Sequence, residues 1–287
     1  MSAEMGGAAP ATGHPGVDVG VGESAPGSEP VAGEKRSADD VLTLAIDIGG
    51  TGLKASVLDT KGKMVADRVR VETKYPCPPQ SMIDALAELV RPLPSYDRVS
   101  AGFPGVVRKG RILTAPHFVT KSGPGSQEVP ELVKQWDRFD LAGALASRLG
   151  KPTRVANDAD LQGAAVVEGQ GLELVITLGT GFGSGLFYDG RLMPHLEIAH
   201  QPFRKGKTYN EELGDVALKR VGPKKWNKRL AQAIENMVVL LRYDKLYLGG
   251  GNARHVTLDL GDKATIVDNS AGILGGIWLW DDRRGME

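Results

Sequence analysis

The 287-residue chain predicts an α/β fold, and three observations carry that prediction. Short apolar runs of strand character alternate with segments whose apolar residues recur at helical spacing. Three of those runs open directly onto glycine clusters, at Gly49-Gly50, Gly179 to Gly183 and Gly249 to Gly251. The second half of the chain also repeats the first, with an apolar strand, a glycine turn and a returning strand in the same succession.

Residues 1–40 contain 8 Gly and 4 Pro but no Leu, Ile, Phe, Tyr or Trp. They cannot bury enough apolar surface to offset the entropy of ordering, so they are expected to form a disordered tail. From Val41 the sequence Val-Leu-Thr-Leu-Ala-Ile-Asp-Ile reads as a strand, Gly49 to Gly52 as a turn and Leu53 to Leu58 as a second strand. Lys61-Gly62 turns the chain into a third strand near Met64 to Val71. Met82, Ile83, Leu86, Leu89 and Val90 mark a helix behind Ser81 as its cap, ended by Pro92, and Arg98 to Phe103 is the next strand. Asp140 caps a helix that runs through Leu149 and stops at Gly150. Thr153 to Ala156 is a strand that delivers Asn157-Asp158 to a helix from Ala159 to Glu168.

In the second half, Leu172 to Leu178 is a strand, Gly179 to Gly185 a glycine-rich turn, Leu186 to Tyr188 the returning strand and Asp189-Gly190 a hairpin turn. Trp226, Leu230, Ile234, Met237, Val238 and Leu241 share one face of a long helix, which is followed by a strand from Lys245 to Leu248. Ser270 to Trp280 reads as a last helix. Two lobes are expected, 41–150 and 151–287, with the final helix at 270–287 packing back on the first lobe.

Composition excludes several classes. Lys and Arg number 35 and so do Asp and Glu, which gives no bulk attraction to nucleic acid or to an anionic membrane. No apolar run approaches the length of about 18 residues needed to span a bilayer. The lone Cys77 makes neither a disulfide nor a multi-thiolate site, so no structural zinc is expected and a reducing, cytoplasmic setting is the natural one.

The glycine clusters suit a phosphate-rich ligand, because a backbone without Cβ atoms approaches phosphate oxygens and successive N–H groups form an anion-binding nest. Each cluster taken alone also suits an ordinary turn. Asp47, at the end of the first strand, is placed to hold Mg²⁺ through water or simply to cap the turn. Lys54 follows the turn and either neutralises phosphate or sits in solvent. Asp158 ends a strand beside Asn157, where it suits a base accepting the proton of an attacking hydroxyl, or the cap of the following helix. Glu197 and His200, three residues apart, offer an acceptor and a donor to vicinal sugar hydroxyls, or are an ordinary surface Glu and core-edge His. From Arg204 to Arg229 nine Lys or Arg face three acids, a local basic stretch suited to a polyanion or to a solvated helix face.

These motifs stand in a familiar order. Asp47-Ile-Gly-Gly-Thr51, Asn157-Asp158-Ala-Asp160, Leu178-Gly-Thr-Gly-Phe-Gly-Ser-Gly185, Glu197-Ile-Ala-His200, Leu248-Gly-Gly-Gly-Asn252 and Asp268-Asn269-Ser270-Ala271-Gly272-Ile273 resemble the ROK family of sugar kinases, in particular its bacterial polyphosphate glucokinase branch. The resemblance spans residues 41–287. It implies an actin-like, ribonuclease H-like fold of two lobes with sugar in the cleft. It also implies phosphate loops at Gly49, Gly50 and Thr51 and at Gly179, Thr180, Gly181 and Gly183, with Lys54 beside the first. Asp158 would be the general base, Asn157, Glu197, His200 and Glu211 would contact sugar, and Gly249, Gly250, Gly251 and Asn252 would border a nucleotide. The implied reaction makes glucose 6-phosphate from glucose, with mannose the other hexose, polyphosphate or ATP as donor, Mg²⁺ as cofactor and a homodimer as the assembly. The competing reading is a non-catalytic sugar or phosphosugar sensor of the same fold.

Two departures from the family pattern stand out. Ala199 replaces the glycine usual before His200, and the segment Gln201 to Leu213 lacks the zinc-binding cysteines of many members. The tail also lacks the apolar residues to build the helix-turn-helix of the family's repressors.

Overall fold

The computed structural model describes residues 41–267 and 275–282. The expected tail, the Asp268 to Ile273 motif and the first part of the expected last helix lie outside the described residues.

Two five-stranded sheets are built on one plan. In the first, β1 (Thr43–Ile48) and β2 (Leu53–Leu58) form an antiparallel hairpin, and β3 (Val69–Val71) lies antiparallel on the outer edge of β2. After helix α1 (Pro79–Val90), β4 (Arg98–Phe103) enters parallel to β1. A small hairpin of β5 (Val107–Arg108) and β6 (Arg111–Ile112) and two helices, α2 (Pro130–Trp136) and α3 (Leu141–Leu149), come before β7 (Thr153–Asn157), which pairs parallel to β4. The sheet order is β3-β2-β1-β4-β7. It takes in residues beyond 150, because the parallel ladder to β4 captures Thr153–Asn157 before the chain leaves for the second sheet.

Helix α4 (Asp158–Ala164) makes that crossing. The second sheet opens with a hairpin of β8 (Leu172–Leu178) and β9 (Phe182–Tyr188), edged by β10 (Arg191–Leu192). A two-stranded ribbon of β11 (Pro202–Arg204) and β12 (Lys207–Thr208) then leads to helices α5 (Tyr209–Leu213) and α6 (Asp215–Leu241). Parallel strands β13 (Lys245–Gly249) and β14 (Ala264–Ile266) complete the order β10-β9-β8-β13-β14.

The central strands are buried on both faces, as layers of helix on each side of a sheet require. Met82, Ile83, Leu86 and Val90 of α1 join Leu44, Ile46, Phe103 and Trp136 in the first core. Leu174, Ile176, Trp226, Leu230 and Met237 form the second. A third cluster, with Leu161, Val175, Phe187 and Leu279, surrounds α4.

Several elements differ from the sequence reading for local reasons. The third strand is confined to Val69–Val71, and Met64 makes only a single bridge to Leu58. Helix α1 begins at Pro79, two residues before the expected cap Ser81, because a proline in the first helical position lacks only an N–H that the helix does not use. Strand β9 begins at Phe182, so Gly183 and Gly185 lie in the sheet and not in the turn. The long helix is broken at Gly222, whose φ of 75° permits the bend, and Pro223 restarts it. The described part of the last helix is a 3₁₀ helix, Gly275–Trp280.

That C-terminal segment packs against the first sheet. Ser100 Oγ donates to the Gly276 carbonyl at 2.6 Å and accepts from Trp280 Nε1 at 2.9 Å, while the Arg98 and Arg154 guanidinium groups lie over the Trp280 ring. A Cβ on Gly275 would run into the Leu161 backbone of α4. Gly275→Ala is therefore expected to cost about 1–3 kcal/mol, the usual range for overpacking, and to lower the urea midpoint. Gly251→Ala, whose Cβ meets open space, is the matched control and is expected to leave that midpoint within error.

Candidate active site

The β1–β2 turn closes on itself through Gly49 N–H to Gly52 O at 3.0 Å and the reciprocal bond at 3.3 Å. Thr73 Oγ1 donates to the Gly49 carbonyl and the Tyr75 hydroxyl to the Gly50 carbonyl, each at 2.7 Å. Burial, and next the Cys77 thiol, push Tyr75 up to about 12, so it remains a donor. With the carbonyls latched, the amides of Gly50 and Thr51 are left without a protein acceptor among the described residues. A Cβ on Gly50 would press on His117 and Pro124, so glycine is what lets this turn lie against them.

The β8–β9 turn is held the same way. Gly179 N–H bonds Gly181 O at 3.0 Å, and the Gly179 carbonyl accepts from the Asp215 amide and from Asn252 Nδ2, both at 3.0 Å. Asn210 Oδ1 accepts from Phe182 N–H at 3.0 Å. The amides of Thr180 and Gly181 have no protein partner among the described residues. Gly183, expected in this loop, sits in β9 opposite Thr177, where its missing Cβ makes room for Thr177 Oγ1 and Ala159 of α4.

The third glycine cluster supports the second turn from below. Gly250 has φ of 84°, and a Cβ there would collide with the Leu178 backbone. Asn252 is buried, with its N–H on Leu178 O at 2.8 Å and its side-chain amide on Gly179. The side chain expected at a nucleotide is thus used as a strut between two turns.

Asn157 and Asp158 lie where β7 becomes α4. The Asn157 carbonyl oxygen caps the helix, accepting from Ala159 N–H at 2.8 Å and Asp160 N–H at 3.3 Å, while its amide donates to Gly105 O at 3.0 Å. These bonds occupy the side chain that was expected to contact sugar. Asp158 Oδ1 accepts from Ala159 N–H at 2.9 Å. Burial first, then the Asp47 carboxylate, push the Asp158 carboxyl up to about 7, with the Ala159 bond working the other way.

Asp47 is bound by Lys54, Nζ to Oδ2 at 2.7 Å. The expected phosphate lysine therefore already holds a carboxylate, while Asp47 Oδ1 has no protein donor among the described residues. Among those residues no group of three or more His, Cys, Asp or Glu gathers as a metal site. One carboxylate oxygen fits Mg²⁺, which keeps several waters and takes one or two carboxylates beside phosphate oxygens.

Across the cleft, Glu197 Oε2 is 3.8 Å from His200 Nε2 and Glu197 Oε1 is 4.0 Å from His195 Nε2. His200 is exposed, and beyond it stands His117 of the first lobe, whose pKa is lowered by burial and next by the charge of His200. Glu211 forms a capping box with Thr208 through Oε2, which pulls its pKa down; this spends one carboxylate oxygen on α5 itself. The basic stretch is only partly neutralised internally, its nine cations meeting three acids. Arg204, Arg220 and Arg229 converge on the buried Glu212 and Lys219 pairs with Asp215, which leaves Lys205, Lys207, Lys224, Lys225 and Lys228 as its unpaired cations among the described residues.

Three residues were given no role by the sequence reading. His195 Nδ1 lies 3.0 and 3.1 Å from the two oxygens of Asp160, and both side chains are nearly sealed from solvent. Burial opposes the imidazolium, but the bond to Asp160 and the charges of Asp160, Glu197 and Asp158 outweigh it, so the His195 pKa is raised. Nothing in the sequence links two residues 35 positions apart. His117 likewise lay in a segment without periodicity or motif.

A family model described as the ROK family matches residues 43–197. The chain belongs to the ROK family. A polyphosphate glucokinase of Mycobacterium tuberculosis is 27% identical over 253 residues, covering 80% of this chain and 88% of that protein. Among solved structures, an inorganic polyphosphate/ATP-glucomannokinase from Arthrobacter sp. strain KM matches with a TM-score of 0.71 and 29% identity, over 85% of this chain and all of that one. A ROK family glucokinase from Streptomyces griseus, solved with glucose and AMPPNP, shares the fold at TM-score 0.62 and 19% identity, over 84% of this chain and 99% of that one. The doubled sheet plan is thus the actin-like two-lobed fold of ROK sugar kinases.

The raised Asp158 pKa has a consequence for stability. Between about pH 4 and 7 the folded chain keeps a proton that the unfolded chain has released, so this group lowers stability as pH rises through that window. Asp158→Asn removes the penalty. Its Tm gain over wild type, measured by calorimetry in metal-free buffer, is expected to grow from pH 4 and to level above pH 7, and a gain independent of pH contradicts the assignment.

Proposed function

We propose that this chain is a phosphotransferase that moves a phosphoryl group from polyphosphate or ATP to the 6-hydroxyl of glucose. The observation that carries the reading is the placement of the Asp158 carboxyl near Asp47 at the β7–α4 junction, in a structure whose two glycine turns each leave amides unpartnered among the described residues. Gly102 of β4 lies close against Asp158, and Gly183 of the second hairpin lies against the next residue, Ala159, so the acid stands where the two lobes meet.

In this reading the sugar O–H proton passes to the Asp158 carboxylate as the hydroxyl oxygen bonds to phosphorus and the bridging P–O bond to the donor breaks. Amides of Gly50, Thr51, Thr180 and Gly181 receive phosphate oxygens, and Glu197 and His200 receive sugar hydroxyls. Glu211 retains one free oxygen as a further contact. Asp47 would hold Mg²⁺ through water, and the ion would neutralise charge on the transferring group. The Mycobacterium and Arthrobacter relatives, named for polyphosphate as donor, support the donor class, and the Arthrobacter name also includes ATP and mannose. The chain's one thiol, Cys77, is buried and has no second cysteine to pair with, which accords with a reducing cytoplasm as the setting.

A base with this pKa must be ionised to act. Sugar kcat/KM is therefore expected to rise about tenfold per pH unit below a midpoint near 7 and then to level, with bound Mg²⁺ moving the midpoint downward. Asp158→Asn is expected to lower kcat by about 10²–10⁴-fold while sugar affinity, read by calorimetric titration, is retained. Wild-type turnover in that variant removes Asp158 from the mechanism. Sugar binding without glucose 6-phosphate from any donor identifies a sensor.

The five unpaired lysines supply a donor test. Neutralising Lys224, Lys225 and Lys228 together is expected to lower kcat/KM for long polyphosphate about tenfold or more at low salt while ATP kinetics barely change. Equal effects on the two donors remove this surface from the polyphosphate path.

A further inference from the structure

The pairing of Asp160 with His195 has no part in the transfer chemistry above, yet it is among the most enclosed polar contacts near the cleft. Asp160 lies two residues beyond Asp158 on α4, and its two oxygens hold His195 Nδ1 at 3.0 and 3.1 Å. Only 3% of the Asp160 side chain and 6% of the His195 side chain meet solvent. The opposite ring nitrogen, Nε2, faces Glu197 Oε1 at 4.0 Å, and Glu197 Oε2 faces His200 Nε2 at 3.8 Å. Carboxylate and imidazole thus alternate from the buried start of α4 to the exposed His200.

The backbone around the row is pinned as well. Ser184 Oγ of β9 donates to Leu196 O at 3.0 Å, and Met193 N–H donates to Leu186 O at 2.8 Å, which fixes the segment on either side of His195. Glu197 itself is partly open, with 30% of its side chain exposed and no hydrogen-bond donor from the protein among the described residues. A carboxylate so placed has several rotamers open to it unless a neighbouring cation selects one. The ring of His195 is the enclosed neighbour that faces it.

We propose that Asp160 and His195 act as a positioning pair in which the anchored imidazole holds the Glu197 carboxylate in the attitude that receives a sugar hydroxyl. The proposal rests on the sugar-kinase reading of the site and deepens it. His195 acts through Glu197 and touches neither the sugar nor the phosphoryl group. Asp160 fixes the ring plane, and the charges facing the ring are Asp160 and Asp158 from α4 and Glu197 from its own segment.

Two measurements test this on the full chain. In ¹H–¹⁵N spectra of the wild-type protein, the His195 Nδ1 proton is expected as a slowly exchanging downfield signal that is absent in Asp160→Asn and that moves when glucose or mannose is added. In steady-state assays His195→Leu is expected to raise the sugar KM about tenfold with a smaller fall in kcat and no change in donor KM. His195→Asn, which keeps a donor toward Asp160, is expected to recover part of that loss.

An unchanged sugar KM in His195→Leu, or equal changes in the sugar and donor KM, overturns the proposal. If His195→Leu does not fold, the wild-type spectrum decides, and a His195 signal unmoved by a sugar that binds overturns it. A chain that binds sugar and shifts the His195 signal but transfers no phosphoryl group refutes the kinase reading and leaves the positioning pair standing.

Discussion

The arrangement depends on the hydrogen bonds of Asn157 at the junction of β7 and α4. Its oxygen takes two of the orphan amides at the start of the helix, and its amide reaches Gly105 beyond the end of β4. One side chain therefore fixes the helix to the first sheet and sets the direction in which the next residue, Asp158, leaves the backbone. Without it, the first turn of α4 would lose the acceptor for two amides and its tie to Gly105, and the Asp158 carboxyl would lose part of what fixes it near Asp47.

The two glycine turns repeat one solution to the same problem. A tight turn has as many carbonyls as amides, and only the amides suit an anion. In the first turn Thr73 and Tyr75 occupy the carbonyls, and in the second the Asp215 amide and Asn252 do so. The donors come from quite different elements, a loop before α1 in one lobe and the starts of α6 and the β13 loop in the other. What the lobes share is the result, a pair of amides in each hairpin turn with no acceptor among the described residues.

Much of this was legible in the sequence. Apolar runs before glycines marked β1, β8 and β13, and Asp140, Gly150 and the Asp189-Gly190 turn fell where capping and hairpin chemistry put them. Side-chain commitment was not legible. Asn157, Asn252 and Glu211 are of the right type and in the right order to meet ligands, yet each is partly or wholly engaged in holding its own backbone. A polar residue after a strand serves equally as a cap or as a ligand, and only its partners tell which. Gly183 was misplaced because a glycine that allows helix α4 to approach a strand looks the same in a sequence as one that makes a turn. Asp160 and His195 were missed because their link is tertiary.

The charge distribution on α6 bears on the donor. A stretch of nine cations suggested a continuous polyanion track, but the buried Glu212 draws Arg204, Arg220 and Arg229 onto it at the α5–α6 junction. Each guanidinium gives one contact of 3.2–3.3 Å to the Glu212 carboxylate, so drawing all three away to a phosphate chain would strand Glu212 as an unpaired buried charge. The arginines therefore belong to the scaffold that seats α6 beside the second turn. The lysines carry no such penalty. Lys224, Lys225 and Lys228 stand on exposed positions just past the Gly222–Pro223 break, where long, flexible ammonium side chains meet a mobile polyanion as point charges without a fixed geometry. Any attraction for polyphosphate on this surface thus comes mainly from the exposed lysines and falls with salt, while the three arginines around one carboxylate add net positive charge held in a fixed place.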